Sequence, residues 1–340
     1  MHVRAVPRFG GIAVFLGTWV GYGFYLYTTT GLPEAPQLGQ ISALLGPCSL
    51  ILLLGVYDDI FGANAVKKLL VQLVAAIWAV SLGFDLSLVH NPISDQVVAP
   101  APYWNWILSV GWIVFVTNAV NLIDGLDGLA TGVALIVALT TFFISKHLGL
   151  YNVSFFSLSL AGACVGFLLF NFSPARIFLG DSGSLVIGFL LASISLEANV
   201  KRSAAIVLFG PPLVMALPIL DSVMAMGRRF FQKRKVIESR YADGARLPPL
   251  KLMKARFLEI FQADQQHIHH ALLKVGLSPR RAVLVLYCVT MVLGATAYQS
   301  TIYGSLASSG AVFVFLSFAL IWLRRTLRRS KLVDRGHEKA

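Results

Sequence analysis

The stretch that decides the fold is WNWILSVGWIVFVTNAVNLIDGLDGLATGVALIVALTTFFIS, residues 104–145. Two apolar runs, 104–122 and 127–145, meet at a short turn marked by Asp124 and Asp127. A helix needs roughly 20 apolar residues to cross a bilayer, and a segment in lipid must satisfy its own backbone hydrogen bonds. The stretch therefore predicts two membrane-spanning helices joined by a polar turn at one face of the membrane.

Apolar runs of this length recur along the whole chain. Of its 340 residues, 56% are apolar and 13% are charged, whereas about 25% of the residues in an average soluble domain are charged. We therefore predict an all-α, polytopic membrane protein of about ten transmembrane helices, with residues 1–340 forming a single integral-membrane domain. The shortest predicted span is 184–199. The full set is 10–28, 41–57, 67–84, 104–122, 127–145, 153–171, 184–199, 204–226, 281–299 and 303–323.

Basic residues indicate the orientation, since Lys and Arg accumulate on the cytoplasmic side of membrane proteins. With the N-terminus inside, only Lys146, Lys201 and Arg202 of the 28 Lys and Arg residues fall outside. Both termini are therefore predicted to be cytoplasmic. The same orientation makes 227–280 a long cytoplasmic loop. Within it, residues 250–261 predict a short helix that either lies on the membrane surface or packs against the protein.

Six aspartates fall at the cytoplasmic ends of the predicted spans. They are Asp58 and Asp59 in GVYDDIFG, Asp124 and Asp127 in the turn quoted above, Asp181 in LGDSGS, and Asp221 in PILDS. Charged groups inside a bilayer are costly, so their gathering at one face is informative. Convergent carboxylates suit a hard cation such as Mg²⁺, which can neutralise phosphate oxygens during group transfer; ordinary helix capping is the alternative. Basic residues that could balance this charge are Lys67, Lys68, Arg176, Arg228 and Arg229.

Other polar groups accompany these aspartates. Asn118 and Asn121 precede two of them by helical steps, and predict either amide contacts to a ligand or hydrogen bonds between helices. The HIHH motif places His267, His269 and His270 within four residues. We interpret these imidazoles as contacts to substrate phosphate rather than a zinc site, because a separate zinc site normally has four ligands. A structural role is the remaining alternative.

The motifs, in their order, resemble those of the polyprenyl-phosphate N-acetylhexosamine-1-phosphate transferase family, and the resemblance covers nearly the whole chain. The matching segments are PRFGG (7–11), GVYDDIFG (55–62), NAVNLIDGLDGLATG (118–132), PARIFLGDSGS (174–184), PILDS (218–222) and HIHH (267–270). Each alone is a weak signal, but the ordered set is specific. The amino-sugar branch of that family has a further span before PRFGG, so the chain resembles such a member in which the first span is absent or the start codon has been placed too late.

The resemblance implies an enzyme, a glycosyl-1-phosphate transferase at the cytoplasmic face of the bacterial inner membrane. Such an enzyme moves N-acetylhexosamine-1-phosphate, here GlcNAc-1-phosphate, from a UDP-sugar to undecaprenyl phosphate and releases UMP. It thereby starts lipid-linked synthesis of a cell-envelope glycan. The resemblance also implies Mg²⁺, or else Mn²⁺, as cofactor. The partners would be the two substrates and the lipid bilayer, without nucleic acid, and a homodimer is left open.

The resemblance also assigns roles to residues. The implied catalytic residues are Asp58, Asp59 and Asp181. Asp58 and Asp59 would lie beside the lipid phosphate, where one of them acts either as a base or only as a positioning group. Asp181 would bind the metal, with Asp58 and Asp124 as further candidate ligands. The implied substrate-binding residues are Lys68, Asn118, Asn121, Asp124, Asp127, His267, His269 and His270.

Three other functions are the alternatives. A phospho-MurNAc-pentapeptide transferase of the peptidoglycan type carries a three-histidine run, whereas HIHH preceded by Ala-Asp looks like the branch that uses UDP-GlcNAc. An ion- or proton-coupled transporter would place its acids near the midplane, often with inverted repeats, whereas these acids lie at one face and no repeat is evident. A CDP-alcohol phosphotransferase would keep its acids in one compact motif, which DGLDGLATG matches only at its first positions.

Overall fold

The computed structural model describes residues 6–29, 40–86, 89–91, 96–98, 101–199, 215–224 and 268–303. Helices dominate these ranges. They are α1 (Gly10–Thr29), α2 (Gln40–Ala43), α3 (Leu45–Phe61), α4 (Ala65–Ser81), α5 (Pro102–Ile123), α6 (Leu129–His147), α7 (Tyr151–Asn171), α8 (Gly180–Asn199), α9 (Ile268–Lys274) and α10 (Pro279–Tyr303). Residues 216–224 are also helical.

Among the residues that the structure describes, six segments are long and apolar enough to cross a membrane, so the protein is a helical, multi-pass membrane protein. They are Ile41–Phe61, Pro102–Ile123, Leu129–His147, Tyr151–Asn171, Gly180–Glu197 and Pro279–Ile302. Helices α1 and α4 coincide with two further predicted spans, 10–28 and 67–84. The parts of the prediction that lie wholly or largely outside the described residues are the spans 204–226 and 303–323, the loop 227–280 with its candidate helix 250–261, and His267.

One connection departs from the all-α prediction. The connection between α4 and α5 contains two short strands, β1 (Val89–Asn91) and β2 (Gln96–Val98), which pair antiparallel with Val89 opposite Val98. Three-residue strands are too short to produce a recognisable alternation of apolar and polar residues. The ribbon therefore adds a local detail to a fold that is otherwise built from helices.

The shortest predicted span, 184–199, corresponds to the most enclosed of the six spanning segments. This helix, α8, packs against α1, α3 and α5, and 83% of its span is buried inside the protein. Because protein rather than lipid surrounds it, α8 accommodates four buried serine side chains, which lower its hydropathy. The helix also begins earlier than predicted, at Gly180. Asp181 therefore lies in the first helical turn rather than in the loop before the helix.

Glycines allow α8 to approach its neighbours closely. Gly55 of α3 faces the backbone of Ser182, and Gly11 of α1 faces the backbone of Gly183. A Cβ atom at position 55 would lie 2.6 Å from the Ser182 amide nitrogen, well inside van der Waals contact. Small residues at helix contacts are a common means of close packing in membranes. The end of α3 and the starts of α1 and α8 therefore meet at one end of the bundle.

Helix α10 is tied to the same end by two polar contacts. The Tyr287 hydroxyl donates to the Gly128 carbonyl, immediately before α6, at 2.5 Å. The Arg280 Nε donates to the Ser173 carbonyl, in the connection between α7 and α8, at 2.8 Å. Gly132 faces the Tyr287 ring, so this glycine serves helix packing. Helix α10 thus supports both of the loops that lead to the aspartates at this end.

Candidate active site

A cleft of about 310 Å³ lies at this end of the bundle. Four of the predicted aspartates line it: Asp59, Asp124, Asp127 and Asp181. Arg8 is the one cation among the described residues that line it. The structure thus brings together acids from three separate parts of the chain, and oxygen-rich sites of this kind suit a hard divalent cation.

Lys68 joins two aspartates from different helices. Its Nζ forms ion pairs with Asp58, near the end of α3, and with Asp181, at the start of α8, the latter at 2.5 Å. The Asn64 side chain caps α4 by accepting a backbone N–H of the first turn at 2.8 Å, which defines where the helix that carries Lys68 begins. The other Asp58 oxygen accepts from the Ala63 N–H at 2.5 Å. Both oxygens of Asp58 are therefore engaged, and this residue is not part of the described cleft lining.

Asp59 caps helix α8. Its Oδ1 accepts from the Asp181 N–H at 2.9 Å, and its Oδ2 accepts from the Ser182 N–H at 3.0 Å. A carboxylate at a helix N-terminus satisfies free N–H groups and interacts favourably with the helix dipole. The preceding Gly180 has a φ of +71°, and a side chain there would overlap the Asp59 carboxylate. Asp59 therefore fixes the backbone that carries Asp181.

The two aspartates of the DGLDG turn have different surroundings. Asp127 Oδ2 accepts from the Ala175 N–H at 3.0 Å, which ties the turn to the connection before α8. Asp124 is half-buried at the cleft. Its burial, and after that the carboxylates of Asp181, Asp59 and Asp127, raise the pKa of Asp124 from 3.8 to about 7, because both effects penalise the charged form. A nearby cation would therefore favour the carboxylate form of Asp124.

Both predicted asparagines bridge helices beside the cleft. The Asn118 Nδ2 donates to Gln72 Oε1 of α4 at 2.6 Å, and the Asn121 Nδ2 donates to Ser184 Oγ of α8 at 2.8 Å. The Ser184 hydroxyl in turn donates to the Gly180 carbonyl at 3.0 Å. The two amides thus make the interhelical hydrogen bonds that the sequence analysis left as the alternative to ligand contacts.

One histidine of the HIHH motif reaches the aspartate turn. The His269 ring is buried and occupies the space that a side chain at Gly125 would fill. His270 is half-buried, and its ring centroid lies 4.3 Å from that of His269. The Asp221 Oδ1 accepts from the Ile268 N–H at 2.9 Å. Asp221 therefore holds the start of α9, and with it both histidines, instead of lining the cleft.

Sequence similarity places the chain among membrane transferases. Residues 41–199 match Glycosyl transferase family 4. The chain is 31% identical over 320 residues to the probable undecaprenyl-phosphate N-acetylglucosaminyl 1-phosphate transferase of Bacillus subtilis, an alignment that covers 93% of this chain and 80% of that relative. The chain belongs to glycosyl transferase family 4. It is therefore a membrane enzyme of the polyprenyl-phosphate N-acetylhexosamine-1-phosphate transferase type, as the motifs imply.

Two further relatives are named for different transfer reactions. The chain is 33% identical over 318 residues to the decaprenyl-phosphate N-acetylglucosaminephosphotransferase of Mycobacterium tuberculosis, with 84% of this chain and 70% of that relative covered. It is 40% identical over 252 residues to the phospho-N-acetylmuramoyl-pentapeptide-transferase of Moorella thermoacetica, with 66% of this chain and 72% of that relative covered. Both relatives are transferases, which agrees with a cleft at one end of the helices rather than a transport path.

Arg8 is the one charged residue of the described cleft lining that the motifs did not single out. Of the five basic residues named from the sequence, Lys68 contacts aspartates, and Arg176 is exposed and does not belong to the described cleft lining. The available signal was the PRFGG motif (7–11), which matches the family. A motif match alone does not reveal which distant part of the chain residue 8 will face.

Proposed function

We propose that this family 4 enzyme transfers GlcNAc-1-phosphate from UDP-GlcNAc to undecaprenyl phosphate with release of UMP, and so starts lipid-linked synthesis of a bacterial cell-envelope glycan. The observation that carries the proposal is the cleft, in which four aspartates and Arg8 lie beside the ion pairs of Lys68. Carboxylates that can share a metal with substrate phosphates, and cations that contact phosphate directly, are the groups on which phosphoryl transfer depends.

The extent of similarity favours the amino-sugar branch over the peptidoglycan branch. The Bacillus subtilis and Mycobacterium tuberculosis relatives, whose names refer to N-acetylglucosaminyl phosphate transfer, match 93% and 84% of this chain. The Moorella thermoacetica relative, named for phospho-N-acetylmuramoyl-pentapeptide transfer, matches 66%. The HIHH motif supports the same branch. We therefore assign UDP-GlcNAc as the donor and a polyprenyl phosphate, undecaprenyl phosphate, as the acceptor.

The cleft residues fit a divalent cation such as Mg²⁺ or Mn²⁺. No group of three His, Cys, Asp or Glu residues in the described part of the chain forms a ready coordination set. Mg²⁺, however, commonly takes only one or two protein carboxylates and completes its shell with water and substrate phosphates. Asp124 and Asp181 are best placed to hold it, because the Asp59 oxygens cap α8 and Asp58 is not part of the cleft lining. When bound, the metal supplies charge that neutralises phosphate oxygens.

The acceptor phosphate can attack without a protein base. A phosphate monoester has a second pKa near 6, so its oxygens are already largely ionised at neutral pH. Asp58 is poorly suited to remove a proton, because one of its oxygens accepts from the Ala63 N–H and the other contacts Lys68. We assign Lys68 to the acceptor phosphate. Asp58 and Asp181 then serve to hold the ammonium group where that phosphate arrives.

The transfer itself requires one bond to form and one to break. An oxygen of the lipid phosphate attacks the phosphorus of the phosphate that bears the sugar. The bond between that phosphorus and the bridging oxygen breaks, and UMP leaves with the oxygen and its electron pair. No proton has to move, since attacking and leaving groups are both phosphate anions. The protein contributes alignment of the two phosphates and stabilisation of the charge that develops.

We place this site at the cytoplasmic face of the bacterial inner membrane, with about ten spans and both termini cytoplasmic. The support is the distribution of Lys and Arg, which leaves only three of 28 outside in this orientation. The cleft lies at the end where α3 and α5 finish and where α4, α6 and α8 start, and this is the end that the basic residues mark as cytoplasmic.

A reconstituted assay tests the function. The full chain in lipid vesicles receives undecaprenyl phosphate, Mg²⁺ and UDP-GlcNAc labelled in the sugar and, separately, in the uridine. We expect labelled lipid and UMP in equal amounts, and no product from UDP-MurNAc-pentapeptide. Release of UDP in place of UMP would contradict the bond cleavage. Failure of UDP-GlcNAc and of every other UDP-N-acetylhexosamine with a folded protein would overturn the proposal.

Chelation should make the stability of the chain depend on pH through Asp124. In the unfolded chain this carboxyl ionises near pH 4, whereas in the folded, metal-free chain it keeps its proton up to about pH 7. Its contribution to stability is therefore fully present below about pH 4 and is lost as the pH rises through about 7. Thermal melting with EDTA at pH 5 and pH 8 should show a lower melting temperature at pH 8.

An isosteric variant separates this effect from other titrations. In Asp124→Asn the fall in melting temperature between pH 5 and pH 8 should be smaller than in the wild type. Mg²⁺ should raise the wild-type melting temperature more at pH 8 than at pH 5, because the metal binds the carboxylate form. Equal pH dependence in the two proteins would show that Asp124 is not the responsible group.

A further inference from the structure

Arg8 stands in a cleft whose other described charged residues are all acidic. It is exposed, and it lines the cleft together with Asp59, Asp124, Asp127 and Asp181. The ion pairs among the described residues nevertheless belong to Lys68 and not to Arg8. If Arg8 served to neutralise the aspartates, its guanidinium would be paired with them. Its hydrogen-bond donors are instead available to a ligand in the cleft.

The backbone around Arg8 is held in place while its side chain is left available. The Pro7 carbonyl accepts from the Phe178 N–H at 2.9 Å, and the N–H groups of Gly10 and Gly11 donate to the carbonyls of residues 178 and 179 at 3.1 Å each. The segment 7–11 is thus fastened to the stretch that leads into α8 and Asp181. A side chain that starts from a fixed backbone loses less freedom when it binds, and this preorganisation favours affinity.

The guanidinium group matches a diphosphate in shape and charge. It is planar, always charged, and presents five N–H donors in a fork that binds two phosphate oxygens at once. Lys68, in contrast, offers a single charged point, and two aspartates already contact it. Resting on the function proposed above, we propose that Arg8 binds the diphosphate of the nucleotide-sugar donor rather than the phosphate of the lipid acceptor.

The position of Arg8 distinguishes these two sources of phosphate. Arg8 shares the cleft with Asp59, Asp124, Asp127 and Asp181, whereas Lys68 itself and Asp58 do not belong to its described lining. The two cations therefore serve different substrates: Lys68 contacts the acceptor, and Arg8 contacts the donor. A donor diphosphate entering beside four carboxylates meets strong repulsion, and Arg8 together with a bound divalent cation offsets it.

Arg8→Gln and Arg8→Lys test the proposal in the full-length protein. In Arg8→Gln we expect the KM for UDP-GlcNAc to rise at least tenfold, with the KM for undecaprenyl phosphate changed by less than twofold. Arg8→Lys keeps the charge and loses the fork, so its KM for UDP-GlcNAc should lie between those of the wild type and Arg8→Gln. Equilibrium binding of UDP-GlcNAc without acceptor should weaken in the same order. Arg281→Gln is the matched control, because Arg281 is exposed on α10 and is not part of the cleft lining.

The possible outcomes distinguish a wrong role for Arg8 from a wrong function for the protein. Wild-type protein that does not bind UDP-GlcNAc would overturn the proposed function itself. If the wild type binds it and Arg8→Gln binds it equally well, only the assignment of Arg8 is wrong. A rise confined to the KM of undecaprenyl phosphate would move Arg8 to the acceptor and overturn the assignment to the donor. Should Arg8→Gln fail to fold, Arg8→Lys decides, because unchanged donor binding in that variant excludes a role for the fork.

Discussion

Asp181→Asn should lower kcat by about 1000-fold, a loss typical of removing one electrostatic contact that stabilises a transition state, while the protein stays folded. Asp181 lies in the first turn of α8, at the cleft, and contacts Lys68. The amide keeps the shape of the carboxylate but loses the charge that would bind a metal and hold the lysine. Stability should change little, since the lost ion pair is offset by reduced repulsion from the Asp58 carboxylate beside it.

The measurement is kcat with UDP-GlcNAc and undecaprenyl phosphate, accompanied by thermal melting in detergent. Asp85→Asn is the matched control, because it makes the same isosteric change far from the cleft. Asp85 follows the end of α4, whereas Lys68 lies near the start of that helix. It should retain near wild-type activity. An Asp181→Asn protein that melts normally and keeps more than a tenth of wild-type turnover would show that the carboxylate at this position is not needed for catalysis.

Gly55→Leu should destabilise the protein and abolish activity together. Its Cβ would press against the Ser182 backbone, where neither partner can rotate away. Overpacking of this kind costs about 1–3 kcal/mol, and relief requires α3 to move from α8. That movement would break the two hydrogen bonds by which Asp59 holds the first turn of α8. We expect a melting temperature lower by several degrees and activity reduced at least 100-fold.

A second glycine provides the control for this substitution. Gly166 lies inside α7, and among the described residues no atom of a neighbouring element lies within 4 Å of where its Cβ would be. Leucine favours the helical conformation over glycine by up to about 1 kcal/mol. Gly166→Leu should therefore leave the melting temperature unchanged or raise it. If both variants melt alike, the close approach of α3 and α8 at Gly55 is not a determinant of stability.

The sequence predicts which aspartates gather at one end of the bundle better than it predicts what each one contacts. Asp58 and Asp59 are neighbours in one motif, and the motif offers no reason to treat them differently. The structure separates them: Asp58 contacts Lys68, whereas Asp59 accepts two N–H bonds from α8, from donors 122 and 123 residues away. Roles that depend on the rotation of one helix against another are set by tertiary packing, which local sequence does not encode.

Hydropathy predicts helices that face lipid more readily than helices that face protein. The span 184–199 was the weakest by length, yet α8 is the most enclosed of the spanning segments. A helix surrounded by other helices can replace apolar side chains with serine and glycine, because its polar groups find partners within the bundle. These serine and glycine residues lower the hydropathy of α8, and this makes the start of the helix harder to locate from the sequence.

The fastening of segment 7–11 to the start of α8 also has a consequence for biogenesis. Arg8 and Ser182 are 174 residues apart along the chain, and translation at about 5–20 residues per second separates their synthesis by roughly 10 to 35 s. During that interval α1 can enter the membrane, but segment 7–11 has no α8 to pair with. The cleft is therefore completed late, after five intervening helices of at least 17 residues each have been made. On the function proposed above, nascent enzyme cannot bind a nucleotide sugar at this cleft until most of the bundle has assembled.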